Sequence, residues 1–294
     1  MKPTDLSVSR DEILARHQKS FSDLQNDLII LKEWMEKQPH LPIDKLGDGF
    51  LEVQLLKNKF SVEKTKSKIE NYCKIKANKN YSYFYEDFPT IPSEEAVCYV
   101  PMPKLTENYE RIVIGKVFDD EKWDLSRECT NGLILREFLA RFDYNEGEIF
   151  IMDYSNCSAA KILSMMRANV IADVMTIVLK GHSAKVKQIH IICKVFPVAL
   201  NFLKPLMPSK VFSRIFAYKD VEEFKEKFHS CYLPKDYGGE MKSLTELRAD
   251  LDKMYFEQRY ELDEYVKTKS REDMRLENSN EQEMQGTFRN LKID

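Results

Sequence analysis

From Glu110 onward the chain alternates short apolar, β-branched runs with longer helical stretches, and no other feature restricts its fold as strongly. Arg111 to Phe118 (RIVIGKVF), Gly147 to Tyr154 (GEIFIMDY) and Gln188 to Lys194 (QIHIICK) read as strands, and Val211 to Tyr218 (VFSRIFAY) contains a fourth. Between them, Leu125 to Phe142 has helical periodicity and Ser158 to Lys180 is an apolar helical region. Strands separated by helical segments argue for βαβ units. The expected fold is α/β, with a mostly parallel sheet flanked by helices.

The preceding residues read as a small all-α domain, 1–77. Glu12 to Lys37 carries Leu14, Phe21, Leu24, Leu28, Leu31 and Met35 at three- and four-residue steps, one apolar stripe on one helix ended by Pro39 and Pro42. Phe50 to Lys59 is a short second helix. A third starts after Ser61 as N-cap and runs to about Lys76, with Ile69, Tyr72 and Cys73 on one side. Residues 78–105 read as a linker: Pro89, Pro92, Pro101 and Pro103 punctuate it, and Tyr81, Tyr83, Phe84, Tyr85 and Phe88 suit a loop wrapped over the main domain. That domain spans 106–256. It closes with LPKDYGGE (Leu233 to Glu240) and a docking helix bearing Leu244, Leu247, Leu251 and Met254. Residues 257–294 hold 10 acidic and 7 basic residues, which accounts for the whole net charge of -3 and predicts a charged helix with a mobile tail after about Lys269.

Composition removes several functions. With 45 Lys plus Arg against 48 Asp plus Glu there is no basic excess for a nucleic-acid partner. Cys73, Cys98, Cys129, Cys157, Cys193 and Cys231 are widely spaced, which favours reduced thiols. Met1 to Gln18 is too polar for a signal peptide. Ala159 to Leu179 is broken by Lys161, Arg167 and Asp173, so it does not read as a membrane span. A cytoplasmic protein is expected.

Catalytic signatures are missing: there is no G-x-S-x-G, no phosphate-binding glycine loop and no H-E-x-x-H, and the five histidines lack metal-ligand spacing. His190, between Ile189 and Ile191 in a strand, reads as a hydrogen-bonded structural histidine. Asp153, at a strand end, reads as an anchor for the next loop. No catalytic residue, metal or cofactor is expected, and the protein is not expected to be an enzyme.

Three features point elsewhere. The region after the second strand is apolar almost all round, so it is either a deeply buried crossover or one wall of a cavity in which Met165, Met166 and Met175 offer polarizable surface. Phe196 to Leu206 (FPVALNFLKPL) is apolar with Pro197 and Pro205 near its ends; it is either core or a movable lid. From Val174 to Lys219 there are eight basic residues and no acidic one, a directed positive field beside that segment. Such a field suits anionic lipid headgroups or a solvated basic face.

On GEIFIMDYSN, QIHIICKVFPVALNFLKPLMPSK and LPKDYGGE, in that order, the chain resembles the CRAL-TRIO (Sec14-like) lipid-binding family. KFSVEKTK and VPMPKLTENYERIVIGKV are most similar to its arthropod branch, related to the α-tocopherol transfer protein and the retinaldehyde-binding protein. The resemblance implies an N-terminal helical domain on an α/β domain that encloses one lipid under a lid helix, here about Val195 to Pro205. It implies phosphoinositide-binding positions at Lys185, Lys187 and Lys210, with Lys57 or Lys59 as a fourth. Expected cavity-wall residues are Met152, Tyr154, Met165, Met166, Ile171, Met175, Val178, Ile191, Phe196, Leu200 and Leu203. Two departures stand out: the family's Asn after the third strand is Cys193, and its D-L-x-G turn reads Asp153-Tyr154-Ser155-Asn156. The expected function is a carrier of one small hydrophobic lipid (tocopherol-, retinoid- or carotenoid-like) exchanged at phosphoinositide-containing membranes. The alternative is a lipid-responsive regulatory or scaffold module that delivers no lipid.

Overall fold

Capping chemistry, as much as apolar spacing, divides the N-terminal helices in the computed structural model, which describes residues 10–85 and 96–275. The single helix expected over Glu12 to Lys37 is two, α1 (Arg10–Arg16) and α2 (Phe21–Glu36). The chain turns at Gln18, whose φ is 55°. Ser20 and Asp23 then form a reciprocal cap, the Asp23 amide donating to Ser20 Oγ at 3.1 Å and the Ser20 amide to Asp23 Oδ2 at 2.7 Å. Such a box satisfies two orphan amides and starts a helix where the stripe alone runs through. α3 (Ile43–Lys57) kinks at Gly47, and α4 (Val62–Ala77) follows. Leu14, Leu24, Leu28, Leu31, Phe50, Ile69 and Tyr72 share one core.

Five strands form one sheet in sequential order: β1 (Val97–Pro101), β2 (Glu110–Val117), β3 (Gly147–Asp153), β4 (Val186–Ile192) and β5 (Ile215–Tyr218). β1 is antiparallel to β2, and the other neighbours are parallel. β1 corrects the expectation of a linker over 78–105. It is an edge strand ending on Pro101, a place where proline removes no needed ladder donor. The rest of that linker's proline and aromatic cluster, including Phe88, Pro89 and Pro92, lies outside the described residues.

Helices supply the crossovers. α5 (Leu125–Phe142) joins β2 to β3; α6 (Ala159–Ser164), α7 (Ala168–Thr176) and a π-helical turn (Ile177–Gly181) join β3 to β4. α8 (Phe196–Leu203), a 3-10 turn (Lys204–Leu206) and α9 (Ser209–Phe212) lead to β5. α10 (Val221–Lys227), α11 (Leu244–Glu257) and α12 (Arg259–Lys267) complete the described chain.

Strand alternation gives the sheet two different faces. Ile112, Ile114, Ile149, Ile151 and Ile192 pack under Phe224, Tyr237, Leu244 and Leu247. His190 points to this side, with Nδ1 2.9 Å from the Tyr218 hydroxyl and Nε2 2.9 Å from Gln188 Oε1. Burial pushes its pKa down to about 4. Asp153 anchors the top of β3: it accepts from the Ser155 amide at 2.9 Å and from the Tyr237 hydroxyl at 2.6 Å, with Lys116 Nζ at 3.1 Å. Tyr237 belongs to the closing turn, where Gly239 is obligatory because a Cβ there would sit 1.9 Å from the Leu233 carbonyl oxygen.

The N-terminal helices dock on α5 through buried polar groups. Lys76 Nζ lies 2.9 Å from Glu137 Oε1, Tyr72 donates to Glu137 Oε2 at 2.6 Å, and Arg141 reaches the same carboxylate at 3.1 Å. The segment just beyond α12 docks on the N-terminal helices. The Ser270 amide donates to Cys73 O, the Arg271 amide to His40 O at 2.9 Å, and Arg275 Nη1 to Glu70 Oε2 at 2.8 Å. The stretch 270–275 is therefore packed, contrary to the expected free tail after Lys269; 276–294 lie outside the described residues. Among the described residues no helix is long and apolar enough to cross a membrane, and no cluster of side chains could hold a metal ion. All six cysteines are free thiols.

Candidate functional site

The second face of the sheet borders a cavity of about 270 Å³. Its floor consists of the residues that alternate with the buried isoleucines: Val113 on β2, Phe150 and Met152 on β3 with Tyr154 just beyond, Ile189 and Ile191 on β4 with Cys193 after it. α5 closes one side with Leu125, Glu128, Cys129, Gly132, Leu135, Arg136 and Leu139, spaced as one helix face. The β3–β4 crossover closes the other with Ile162, Met165, Met166, Ile171, Val174, Met175 and Val178. Ala199, Phe202, Leu203 and Met207, from α8 and the segment after it, cover the top.

Nine of the expected wall residues therefore lie on the cavity: Met152, Tyr154, Met165, Met166, Ile171, Met175, Val178, Ile191 and Leu203. Phe196 and Leu200 do not. On α8 the inward residues are Ala199, Phe202 and Leu203, a phase of the helix that hydrophobicity cannot choose because FPVALNFL is apolar on nearly every side. Phe196 instead packs beside Ile191 and Cys193, while Val198 faces outward, 51 % exposed. Cys193, where the resembling family has Asn, is buried and holds α8 through its backbone: its carbonyl accepts from the Phe196 amide at 3.1 Å.

The lining is apolar apart from two charged residues of α5 and their partners. Glu128 Oε1 accepts from the Tyr99 hydroxyl at 2.8 Å and the Tyr154 hydroxyl at 3.0 Å; Oε2 accepts from Trp123 Nε1 at 2.6 Å. Burial raises the pKa of Glu128, and these three donors oppose the rise. Tyr99 reaches this position by lying across Gly115, where a Cβ would come within 2.8 Å of its ring. Arg136, two turns further along α5, pairs through Nη1 with Glu148, whose other oxygen is 3.0 Å from Lys57 Nζ. Burial pushes the Cys129 thiol well above its ordinary pKa. This is a wall built to hold an apolar body with few polar contacts.

Residues 105–239 match the CRAL/TRIO domain family, and residues 20–90 match the Pinta-like UBA domain family. The cavity, the sheet beneath it and α8 lie within the first of these segments. Residues 105–239 form a CRAL/TRIO domain. No curated protein matches the sequence. Among solved structures the chain is similar to the crystal structure of Sfh5, at 12% identity and a TM-score of 0.47, over 77% of this chain and 91% of that one.

At the lower edge of the CRAL/TRIO domain, basic residues gather where β4 and β5 begin. Lys185 is half-buried and its pKa falls to about 8: burial is the main cause, Glu146 opposes it, and the charges of Lys57, Lys59 and Lys187 add to it. Those four lysines are therefore close neighbours. Lys187 sits 3.3 Å from Glu110. Lys210 is exposed on α9, four residues before Arg214, whose guanidinium donates to the Val186 carbonyl at the start of β4. Of the two candidates for a fourth basic position, Lys57 is excluded by geometry: it is buried against Glu148, whereas Lys59 is exposed. Charged residues at a domain junction look alike in sequence whether they face solvent or a buried carboxylate. The sequence reading also missed Tyr99, Trp123, Glu128 and Arg136, whose signal was two charges on the otherwise apolar face of α5.

Proposed function

We propose that the chain is an intracellular carrier that holds one small hydrophobic lipid in this cavity and exchanges it at phosphoinositide-containing membranes. The apolar cavity beneath α8 carries the reading. Burying apolar surface contributes roughly 25 cal/mol per Å², so a water-insoluble molecule of several hundred Å² is retained firmly once inside. A volume of about 270 Å³ favours a single-chain or ring hydrophobe over a two-chain phospholipid. The lipid-binding class of CRAL/TRIO domains agrees with this, as does the resemblance to tocopherol- and retinaldehyde-binding proteins.

Exchange requires the lid to open where cavity and bilayer meet. The lid segment runs from the end of β4 back to the start of β5, so its far end reaches the lysine-rich edge. In the proposal Lys59, Lys185, Lys187 and Lys210 hold that edge at an anionic surface, each contributing about 1 kcal/mol. The outward apolar side of α8, including Val198, then trades solvent for acyl chains.

Mass spectrometry of the organic extract from purified protein exposed to a mixed lipid extract tests the carrier. One enriched hydrophobe near one per chain supports it. A clean extract overturns it in favour of a lipid-responsive module. Replacing Lys185, Lys187 and Lys210 by Ala should slow transfer to phosphoinositide-containing vesicles while sparing retention, and unchanged transfer removes the phosphoinositide assignment.

A further inference from the structure

The charged groups of the cavity wall are already spent or sealed. Glu128 accepts from Tyr99, Trp123 and Tyr154, which commits those three protons to one carboxylate. Arg136 gives Nη1 to Glu148, and its Nε and Nη2 are enclosed by protein atoms. An anionic head drawn inside would lose its hydration without gaining a donor, and Glu128 would repel it.

Free positive charge lies instead along one seam of the wall, where α7 meets the 3-10 turn Lys204–Leu206 at the end of the lid. Lining residues there stand next to exposed lysines in the chain. Leu203 precedes Lys204, Met207 is three positions before Lys210, and Val178 is two before Lys180. None of these three lysines enters an ion pair among the described residues. Asp173 of α7 accepts from the Tyr83 hydroxyl at 3.1 Å, and no acidic residue follows it before Asp220. The seam is therefore apolar inward and basic outward.

We propose that this seam is the mouth of the cavity and that the ligand is a single-chain anionic amphiphile, its tail inside and its carboxylate or phosphate head outside among Lys180, Lys204 and Lys210. A head held at the mouth keeps most of its water, so it avoids the cost that bars it from the interior. Exposed ion pairs contribute up to about 1 kcal/mol each, enough together to favour an anionic head over a neutral one. The inference rests on the carrier reading and narrows its ligand class.

The test compares palmitate, palmitoyl lysophosphatidate and hexadecanol by equilibrium binding to delipidated full-length protein. At low salt at least one anion should bind about five-fold or more tighter than the alcohol, and the tighter anion names the head as carboxylate or phosphate. In 1 M salt the gap should close to about two-fold, because charges at the surface are screened. The double variant Lys180→Glu with Lys204→Glu changes two exposed side chains and should reverse the preference while sparing hexadecanol. The double variant Lys185→Ala with Lys187→Ala should keep it, which separates the mouth from the lower edge. A reading independent of mutation comes from palmitate labelled with ¹³C at the carboxyl or at the terminal methyl. A gadolinium chelate in the water should broaden the bound carboxyl signal and leave the methyl signal sharp. Hexadecanol binding as tightly as both anions at low salt overturns the proposal with the carrier intact. A preference that survives the glutamate variant, or a carboxyl carbon shielded from the chelate, does the same. If none of the three binds, the carrier reading falls and this inference with it.

Discussion

Tyr154, at the end of β3, donates its hydroxyl proton to Glu128 of α5 at 3.0 Å and so ties the sheet to the helix across the cavity. Glu128 is buried and forms no ion pair among the described residues, so its charge depends on Tyr154, Tyr99 and Trp123. Tyr154→Phe removes one donor and keeps the ring. The expected loss is about 1.5–3 kcal/mol of unfolding free energy at neutral pH, read from urea denaturation. A smaller change means that the other two donors suffice.

The lid makes a second prediction. Ala199 is the smallest side chain that α8 turns onto the cavity. Ala199→Phe adds a ring to empty space under the lid, so it should lower affinity for any cavity ligand by ten-fold or more while changing stability by less than about 1.5 kcal/mol. Binding and thermal unfolding measured on the same preparation check both halves. The same substitution at Val198, on the outer surface of α8, should spare binding.

The parts of this architecture that were legible are those in which local pattern and tertiary role coincide. The bounds of α5 follow from periodicity, and the cavity side of β3 and β4 follows from alternation, which placed His190 opposite Ile189 and Ile191. β1 escaped because VCYVP is short, ends in proline and pairs with a strand that follows it, so nothing local distinguishes it from a loop. The break after Arg16 escaped because the apolar stripe continues in phase across it. Glu128 and Arg136 escaped for a different reason. A charged residue among apolar ones on a helix is ordinary until its partners are known, and Tyr99, Trp123, Tyr154 and Glu148 come from four separate segments.

Lys185 gives a pH-dependent prediction. Its pKa of about 8, chiefly a result of burial, lies far below the ordinary 10.5. The protonated form binds anions, so its contribution is present below pH 8 and lost as pH rises through that value. Attachment to phosphoinositide vesicles should weaken between pH 7 and pH 9 by up to about five-fold, one lysine's worth. Lys185→Arg, charged throughout, should flatten that profile in a vesicle co-sedimentation titration. A wild-type profile flat to pH 9 removes Lys185 from the contact.

Acid stability follows from buried polar groups, three at the junction of the N-terminal helices with the CRAL/TRIO domain and one, His190, on the other face of the sheet. Burial pushes His182 down to about 3, against the attraction of Glu137, and His190 down to about 4. Both histidines therefore bind protons more readily in the unfolded chain, where the ordinary value is near 6.5. Their contribution is complete above pH 6.5 and is lost as pH falls from there through the folded values. Glu137 and Glu148 resist the upward push of burial because Lys76, His182 and Arg141 surround one and Arg136 and Lys57 the other, which holds both near 2. The stabilisation they provide is complete above 4.5 and is lost as pH falls toward 2, so all four groups act with the same sign. Unfolding free energy should decline from pH 6.5 as the two histidines engage and more steeply below 4.5, each fully engaged group adding about 1.4 kcal/mol per pH unit. His182→Gln cannot titrate, so it should reduce the slope between pH 6.5 and 5 relative to wild-type protein while leaving the steep limb in place. Urea midpoints across that range decide the point, and a wild-type midpoint constant from pH 7 to 5 would show that neither histidine is held neutral.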